Sequence, residues 1–180
     1  MPRRKHALAT VVHRWAAHYD SGRTSGSATQ NVHLQADLSP GTKYTWTVKY
    51  FDGGGDATFS TGVKDWAGAQ WIGAASPGCF QARKKFGLSS RTQIVRATVY
   101  AVGLGYYKLH VDGQRVSTHE LGAFTTYATR VLYDTYDATD AMRIAGGPEH
   151  VLGVSVGDGW YSQQSVNAGQ QTLLLQVRAT

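Results

Sequence analysis

Cysteine is all but absent. Cys79 stands alone among 180 residues, which excludes an internal disulfide and a cysteine-based metal site. No apolar run approaches the roughly 18 residues that a membrane helix needs, so no membrane partner is expected. The N-terminus is positively charged but lacks the apolar stretch of a secretory leader, and no Asn-x-Ser/Thr acceptor occurs. These absences together point to a cytoplasmic, reducing setting. Glutamate is scarce as well: of 12 acidic residues only Glu120 and Glu149 are Glu. Many of the aspartates, Asp20, Asp52, Asp112 and Asp158 among them, neighbour Gly or Ser, where turn chemistry accounts for them.

Glycine (21 residues), tyrosine (10) and tryptophan (5) are plentiful within an ordinary hydrophobic fraction of 42%. Glycine turns between aromatic-rich strands indicate an all-β chain. The net charge is +6, and "PRRK" at residues 2–5 holds three of the 18 basic residues. A basic arm can serve nucleic acid. No basic stripe continues into the body, however, so the arm reads as a solvated terminus and no nucleic-acid partner is expected.

Residues 8–19, "LATVVHRWAAHY", fit both helical spacing and a strand, and the choice stays open. "DSGRTSGS" (20–27) reads as a turn. In "LSPGTKYTWTVKYFDGGGDATFSTG" (38–62), Tyr44, Trp46, Val48 and Tyr50 alternate with Thr45, Thr47 and Lys49. This is the period of a half-buried strand, with "ATFSTG" as its partner. The run resembles the later strands of a fibronectin type III sandwich, in which a tyrosine hydroxyl bonds back to the backbone; that resemblance makes Tyr44 structural. Trp66 and Trp71 lie in a junction of small residues. Two tryptophans there could form a sugar platform, but they read better as structural plugs between two sandwiches.

Beyond the junction, strands are expected at about 79–86, 94–102, 106–112, 114–118, 130–136, 150–157 and 172–178. Val95, Ala97, Val99 and Ala101 should share one face, as should Leu152, Val154 and Val156, and Leu173, Leu175 and Val177. One short helix is expected at 139–145, capped by Thr139 or Asp140 and ended by Gly146-Gly147-Pro148. "VGLGYYKLHVDGQRVS" (102–117) has a glycine-rich entry, yet the third glycine of a dinucleotide loop is missing and no helix follows. Tyr107, Leu109 and Val111 face one way and Tyr106, Lys108 and His110 the other. Asp112 and Gly113 then supply a tight type I′ turn, a structural role.

That hairpin, "LGAFTTYATRVLYDTYDATDAMR" and "HVLGVSVGDGWY" together resemble the N-terminal β-sandwich of bacterial-type α-L-rhamnosidases, glycoside hydrolases that release terminal rhamnose. "WAAHYDSGRT", "YTWTVKYFDGGG" and "DWAGAQWIG" resemble upstream elements of the same family, in family order. The resemblance implies an incomplete fibronectin type III-like sandwich over residues 1–66. A jelly-roll-like, galactose-binding-like β-sandwich would follow over 67–180. The family's catalytic centre lies in a helical barrel far downstream, which this sequence does not reach. The expected role is therefore a non-catalytic accessory or scaffold portion, without cofactor, whose partners are the barrel and a rhamnose-containing glycan. A stand-alone carbohydrate-binding module and a truncated, inactive product are the alternatives. This chain departs from the family pattern at Gly122–Tyr127, "GAFTTY", where Pro-Gly-Trp-Thr-Asp-Tyr is usual. A second departure is "GPEH" at 147–150, where Pro-Gly-Glu-Asn is usual.

Glycoside hydrolysis needs two carboxylates about 5 Å apart in a retaining enzyme, or about 6.5–9.5 Å apart in an inverting one. No such pair is legible here, so no catalytic residue is assigned. Asp134, Asp137 and Asp140 are spaced by three but should not converge on a cation. His110 and His119 read as surface or packing residues, and His119-Glu120 lacks the second histidine of a zinc motif; no metal site is expected. "GDGWY" (157–161) is the best candidate surface. Asp158, Trp160 and Tyr161 would either bind a sugar, through aromatic faces and a carboxylate, or dock a neighbouring domain.

Overall fold

The computed structural model describes residues 5–13, 16–26, 36–50, 53–89, 93–120, 122–162 and 169–180. The chain divides into two compact units, Met1–Trp66 and Ala67–Thr180.

In the first unit β1 (Lys5–His13), β2 (Ala16–Gly26), β3 (Lys43–Tyr50) and β4 (Gly53–Ser60) form an antiparallel sheet in the order β2-β1-β3-β4. The segment left open between helix and strand is therefore strand over 8–13 and 16–19. The turn expected from residue 20 is corrected to the second half of β2. Asp20 pairs with Thr10 and Arg23 with Leu8, so β2 carries one residue more than its partner. Gly22 absorbs the extra residue at φ 60, and Asp20 Oδ1 accepts its N–H at 2.8 Å. The local turn chemistry makes a bulge inside a strand rather than an end to it. In β3, Tyr44 is buried and stacks on Phe59 at 5.5 Å between centroids. Its hydroxyl accepts the Ser39 N–H at 2.8 Å. On β4, a Cβ at Gly54 would lie 2.5 Å from the Val48 carbonyl oxygen, so only glycine lets the two strands approach this closely.

The second unit contains β5 (Ile72–Gly73), β6 (Phe80–Gly87), β7 (Ala97–Leu104), β8 (Tyr106–Val111), β9 (Gln114–Arg115), β10 (Asp134–Asp137), α1 (Thr139–Ala145), β11 (Glu149–Gly157) and β12 (Thr172–Ala179), with a 3₁₀ turn at Trp160–Ser162. Two antiparallel sheets, β10-β7-β12-β5 and β6-β11-β8-β9, make an all-β sandwich. Val99, Ala101 and Leu173 from one sheet meet Leu109, Val111, Leu152 and Val154 from the other, and Met142 of α1 joins the same core. Leu175 and Val177 pack against it half-buried. Val95 does not join the face of Ala97 and Val99: it precedes β7 and is 61% exposed.

Helix α1 spans the expected residues, but its cap differs. Thr139 Oγ1 accepts the Ala97 N–H at 2.9 Å instead, Asp137 Oδ1 accepts the Thr139 N–H at 2.9 Å, and Ala138 occupies the cap position without a side-chain bond. Asp112 and Gly113 both have positive φ, 50 and 82, and join Val111 to Gln114 in a two-residue turn. Two expected strands are shorter: the segment from 130 pairs only from Asp134, and that from 114 only over Gln114–Arg115; the short β5, among small residues, carries no periodicity to announce it.

Candidate functional site

The glycines of "VGLGYY" and "GDGWY" serve one purpose together. A Cβ at Gly105 would lie 2.5 Å from the Gly157 carbonyl oxygen, and one at Gly159 would lie 2.9 Å from the Gly105 carbonyl carbon. Gly105 also sits at φ 141, a region open essentially to glycine. The two motifs thus interlock backbone against backbone, and this close approach explains the glycine-rich entry that superficially suggested a phosphate loop. A Cβ at Gly103 would strike the Tyr107 ring at 2.3 Å, so glycine there makes room for a buried tyrosine.

Beneath this junction lies a closed ring of polar groups. Tyr107 of β8 donates to Asp134 Oδ2 at 2.5 Å, and its hydroxyl oxygen is 2.8 Å from that of Tyr136. Tyr136 in turn is 3.3 Å from His119 Nε2, which closes the ring on Asp134 Oδ1 at 3.0 Å. Burial, reinforced by the hydrogen bonds to Asp134 and Tyr136, drives the Tyr107 phenol far above the ordinary tyrosine range. Burial likewise pushes Tyr136 up to about 12. Both phenols are therefore neutral hydrogen-bonding groups at physiological pH.

A shallow groove opens beside the ring; Gly103, Gly105, Gly122, Tyr127, Asp134 and Trp160 contribute to its wall. The Gly122–Tyr127 loop and the GDGWY segment meet here. Trp160 meets Phe124 edge to face at 5.9 Å, Phe124 meets Tyr127 at 6.2 Å, and Tyr127 meets Tyr161 at 5.3 Å. Phe124 is 60% and Trp160 37% exposed. Burial raises the Tyr127 phenol above its ordinary value.

Asp158, grouped by sequence with Trp160 and Tyr161, engages elsewhere. Its Oδ1 accepts a hydrogen bond from Gln171 Nε2, and the buried Gln171 accepts the Gly78 N–H through Oε1 at 3.1 Å. The acid that lines the groove is Asp134, which sequence reading set aside. Its partners Tyr107 and His119 lie 27 and 15 positions away, so no spacing announced them. The one available signal was the Gly122–Tyr127 departure, whose aromatics prove to be neighbours of GDGWY. Trp46 and Trp71 are 39% and 47% exposed, and Trp66 is half-buried.

The remaining acids tie elements together. Asp112 Oδ1 accepts the Val151 N–H at 2.7 Å, and Oδ2 lies 2.7 Å from His150 Nδ1. His150 is fully buried and its Nε2 has no hydrogen-bond partner. Because a carboxylate only accepts, the Nδ1–H donates to Asp112 Oδ2. Glu120 collects Tyr106 at 2.8 Å, Lys108 at 3.2 Å and Arg115 at 2.9 Å. The Tyr106 hydrogen bond, then Lys108, holds this carboxyl below the ordinary glutamate value, and Glu120 raises Tyr106 in return. Asp134, Asp137 and Asp140 part company, toward Tyr107, the Thr139 N–H and Arg143. Among the described residues no group of three His, Cys, Asp or Glu could hold a metal ion.

Residues 92–178 match the family model of the alpha-L-rhamnosidase N-terminal domain. An alpha-L-rhamnosidase of Streptomyces avermitilis is 33% identical over 100 residues, covering 54% of this chain and 9% of its own length. One of Formosa agariphila is 25% identical over 182 residues, covering 81% of this chain and 19% of its own length. Among solved structures, the alpha-L-rhamnosidase from Dictyoglumus thermophilum superposes with a TM-score of 0.78 at 22% identity, over 98% of this chain and 23% of that one. The enzyme from Aspergillus terreus does so with a TM-score of 0.76 at 23% identity, again over 98% and 23%. At those identities the structural likeness speaks for the fold. The chain thus spans less than a quarter of the length of each of these relatives. The family match falls on β7 to β12, the same strands that build the polar ring and the aromatic groove. The second unit of this chain carries an α-L-rhamnosidase N-terminal domain.

Proposed function

We propose that the chain is a non-catalytic accessory or scaffold portion of an α-L-rhamnosidase-like glycoside hydrolase acting on terminal rhamnosides. Its first unit is the fibronectin-like part, and its partners are a catalytic barrel and a rhamnose-containing glycan. The observation that carries this is the state of Asp134. It is the one acid lining the groove, and its two oxygens are engaged by Tyr107 and His119. A glycosidase needs a second carboxyl group across the scissile bond, at roughly 5 to 9.5 Å, and among the described residues no other acid lines the groove. The purified chain should leave an aryl α-L-rhamnoside uncleaved. Turnover that co-purifies with the chain and vanishes in Asp134→Asn would overturn the proposal.

The exposed aromatics support a second reading, sugar binding at the groove. Trp160 and Phe124 present apolar ring surface beside a carboxylate, a combination suited to the C–H faces and hydroxyls of a sugar. Calorimetry with rhamnose separates the readings: saturable heat lost in Trp160→Ala favours binding, and no heat at millimolar sugar leaves docking of a neighbouring domain.

A further inference from the structure

The outer face of the sheet β6-β11-β8-β9 is a second, chemically different surface. Along β8 and β11 exposure alternates, so Tyr106, Lys108 and His110 share the solvent side with Val151, Gly153, Ser155 and Gly157. Register aligns them across the strands. One row runs Arg83, Gly153, His110, Arg115; the next runs Gln81, Ser155, Lys108; Lys85 stands opposite Val151. Neighbouring strands lie about 4.8 Å apart, so the backbones of Arg83 and His110, one on each side of Gly153, are about 10 Å from each other. A Cβ built on Gly153 meets nothing within 4 Å, so the middle of the row is open floor between cationic walls.

Charge is lopsided here. Arg83, Lys84 and Lys85 are exposed and pair with no carboxylate among the described residues. Lys84, although on the core side of the register, is exposed because β6 is an edge strand. On the far wall Lys108 and Arg115 share the single carboxylate of Glu120, which leaves that cluster net positive. Glu149 marks one end of the face, opposite Gly87. Such charges also guard an edge strand against pairing with another chain. Edge protection does not require the row across β8 and β9, nor the neutral donors and acceptors of Gln81 and Ser155 set between the cations.

We propose that this face binds an acidic polysaccharide, a chain of uronate sugars. The cations meet its carboxylates, the interleaved neutral groups meet its hydroxyls, and the chain lies across the open floor at Gly153. Single-stranded nucleic acid fits less well. Tyr106 and the smaller imidazole of His110 are the aromatic rings among the described residues of the face, and the Tyr106 hydroxyl is committed to Glu120, whereas such binders stack successive bases on aromatic platforms. The choice of a glycan over other polyanions rests on the accessory role proposed above.

The test is binding of the intact chain to polygalacturonate, with dextran as neutral control and a single-stranded DNA oligonucleotide as rival polyanion. Saturable binding to polygalacturonate, absent with dextran and weakened by salt, is expected. Arg83→Glu with Lys85→Glu should weaken it about tenfold or more, the scale of two reversals on an exposed surface. Gly153→Phe, which fills open space and leaves the charges intact, should weaken it too, while Lys64→Glu in the first unit should not. Circular dichroism confirms that each variant is folded. No binding to polygalacturonate, equal binding to DNA, or an unaffected Gly153→Phe overturns the proposal. None of these results bears on whether an aryl rhamnoside is cleaved, so the two proposals fail separately.

Discussion

Raising the pH should unfold the second unit through two tyrosines. Tyr107 and Tyr136 are 1% and 4% exposed and bonded to each other. Burial is the leading cause of the rise in both, far above the ordinary range for Tyr107 and up to about 12 for Tyr136. In the unfolded chain both titrate near 10. The sign follows directly. The folded state holds protons that the unfolded state releases, so the stabilisation is complete below about pH 10 and is lost as pH rises toward the folded-state values. Each phenol kept neutral costs about 1.4 kcal/mol per pH unit in that window, so the pair contributes a slope of about 2.7 kcal/mol per unit between about pH 10 and 12. For a domain with a few kcal/mol to lose, one unit of pH is decisive.

The measurement is urea unfolding of wild type and the double variant Tyr107→Phe/Tyr136→Phe from about pH 8 to about pH 11.5, a range that spans the onset of tyrosine ionisation. The variant should be less stable at neutral pH by about 2 kcal/mol, because Asp134 loses a donor. It should also lack most of the alkaline slope, so the two stability curves converge as pH rises. Tyrosinate absorbance should show two fewer late-ionising phenols in the variant. Parallel curves for the two proteins would refute the reasoning, because they would mean that the buried ring titrates like exposed tyrosine.

Three further outcomes follow from the geometry. Asp112→Ala should cost about 3 kcal/mol, from two lost hydrogen bonds and from alanine's poorer tolerance of the positive φ that aspartate already occupies, whereas Asp112→Asn, which tolerates that φ and retains an acceptor, should cost roughly half as much; urea melts of the pair decide. Gly105→Ala places a Cβ 2.5 Å from the Gly157 oxygen, and should destabilise the second unit by more than about 2 kcal/mol and disturb the Trp160 fluorescence. Tyr44→Phe removes the acceptor of the Ser39 N–H and should cost the first unit about 1 kcal/mol, read by hydrogen exchange at Ser39.

What was legible in the sequence was local. The Asp112-Gly113 hairpin and α1 are written in residues two to seven positions apart, and the inward set Tyr107, Leu109, Val111 follows from strand period alone. What failed was also local in form but decided at a distance. Asp20 to Gly26 has turn composition, yet β1 supplies a ladder that turns the glycine into a bulge. Thr139 has a capping side chain, yet the Ala97 N–H competes for its oxygen and wins. Asp158 sits beside Trp160 in the chain, but Gln171 holds its carboxylate. The polar ring was illegible because three separate segments, β8, the loop after β9 and β10, must be folded before Tyr107, His119, Asp134 and Tyr136 meet.

These distances also bear on the proposed non-catalytic role. A general acid needs a carboxyl held protonated near the working pH, which burial or a like charge achieves by raising it. Glu120 is moved the opposite way by Tyr106 and Lys108. Asp134 accepts from Tyr107, Asp112 clasps β11, Asp137 opens α1, and Asp158 steadies Gln171. Each of these carboxylates fastens one element to another, and removing its donors would loosen the sandwich. Facing solvent are the rings of Phe124 and Trp160 at the groove, and the guanidinium and ammonium groups of Arg83 and Lys85 on the outer sheet. Groups of that kind suit the recognition of a chain of sugars proposed above.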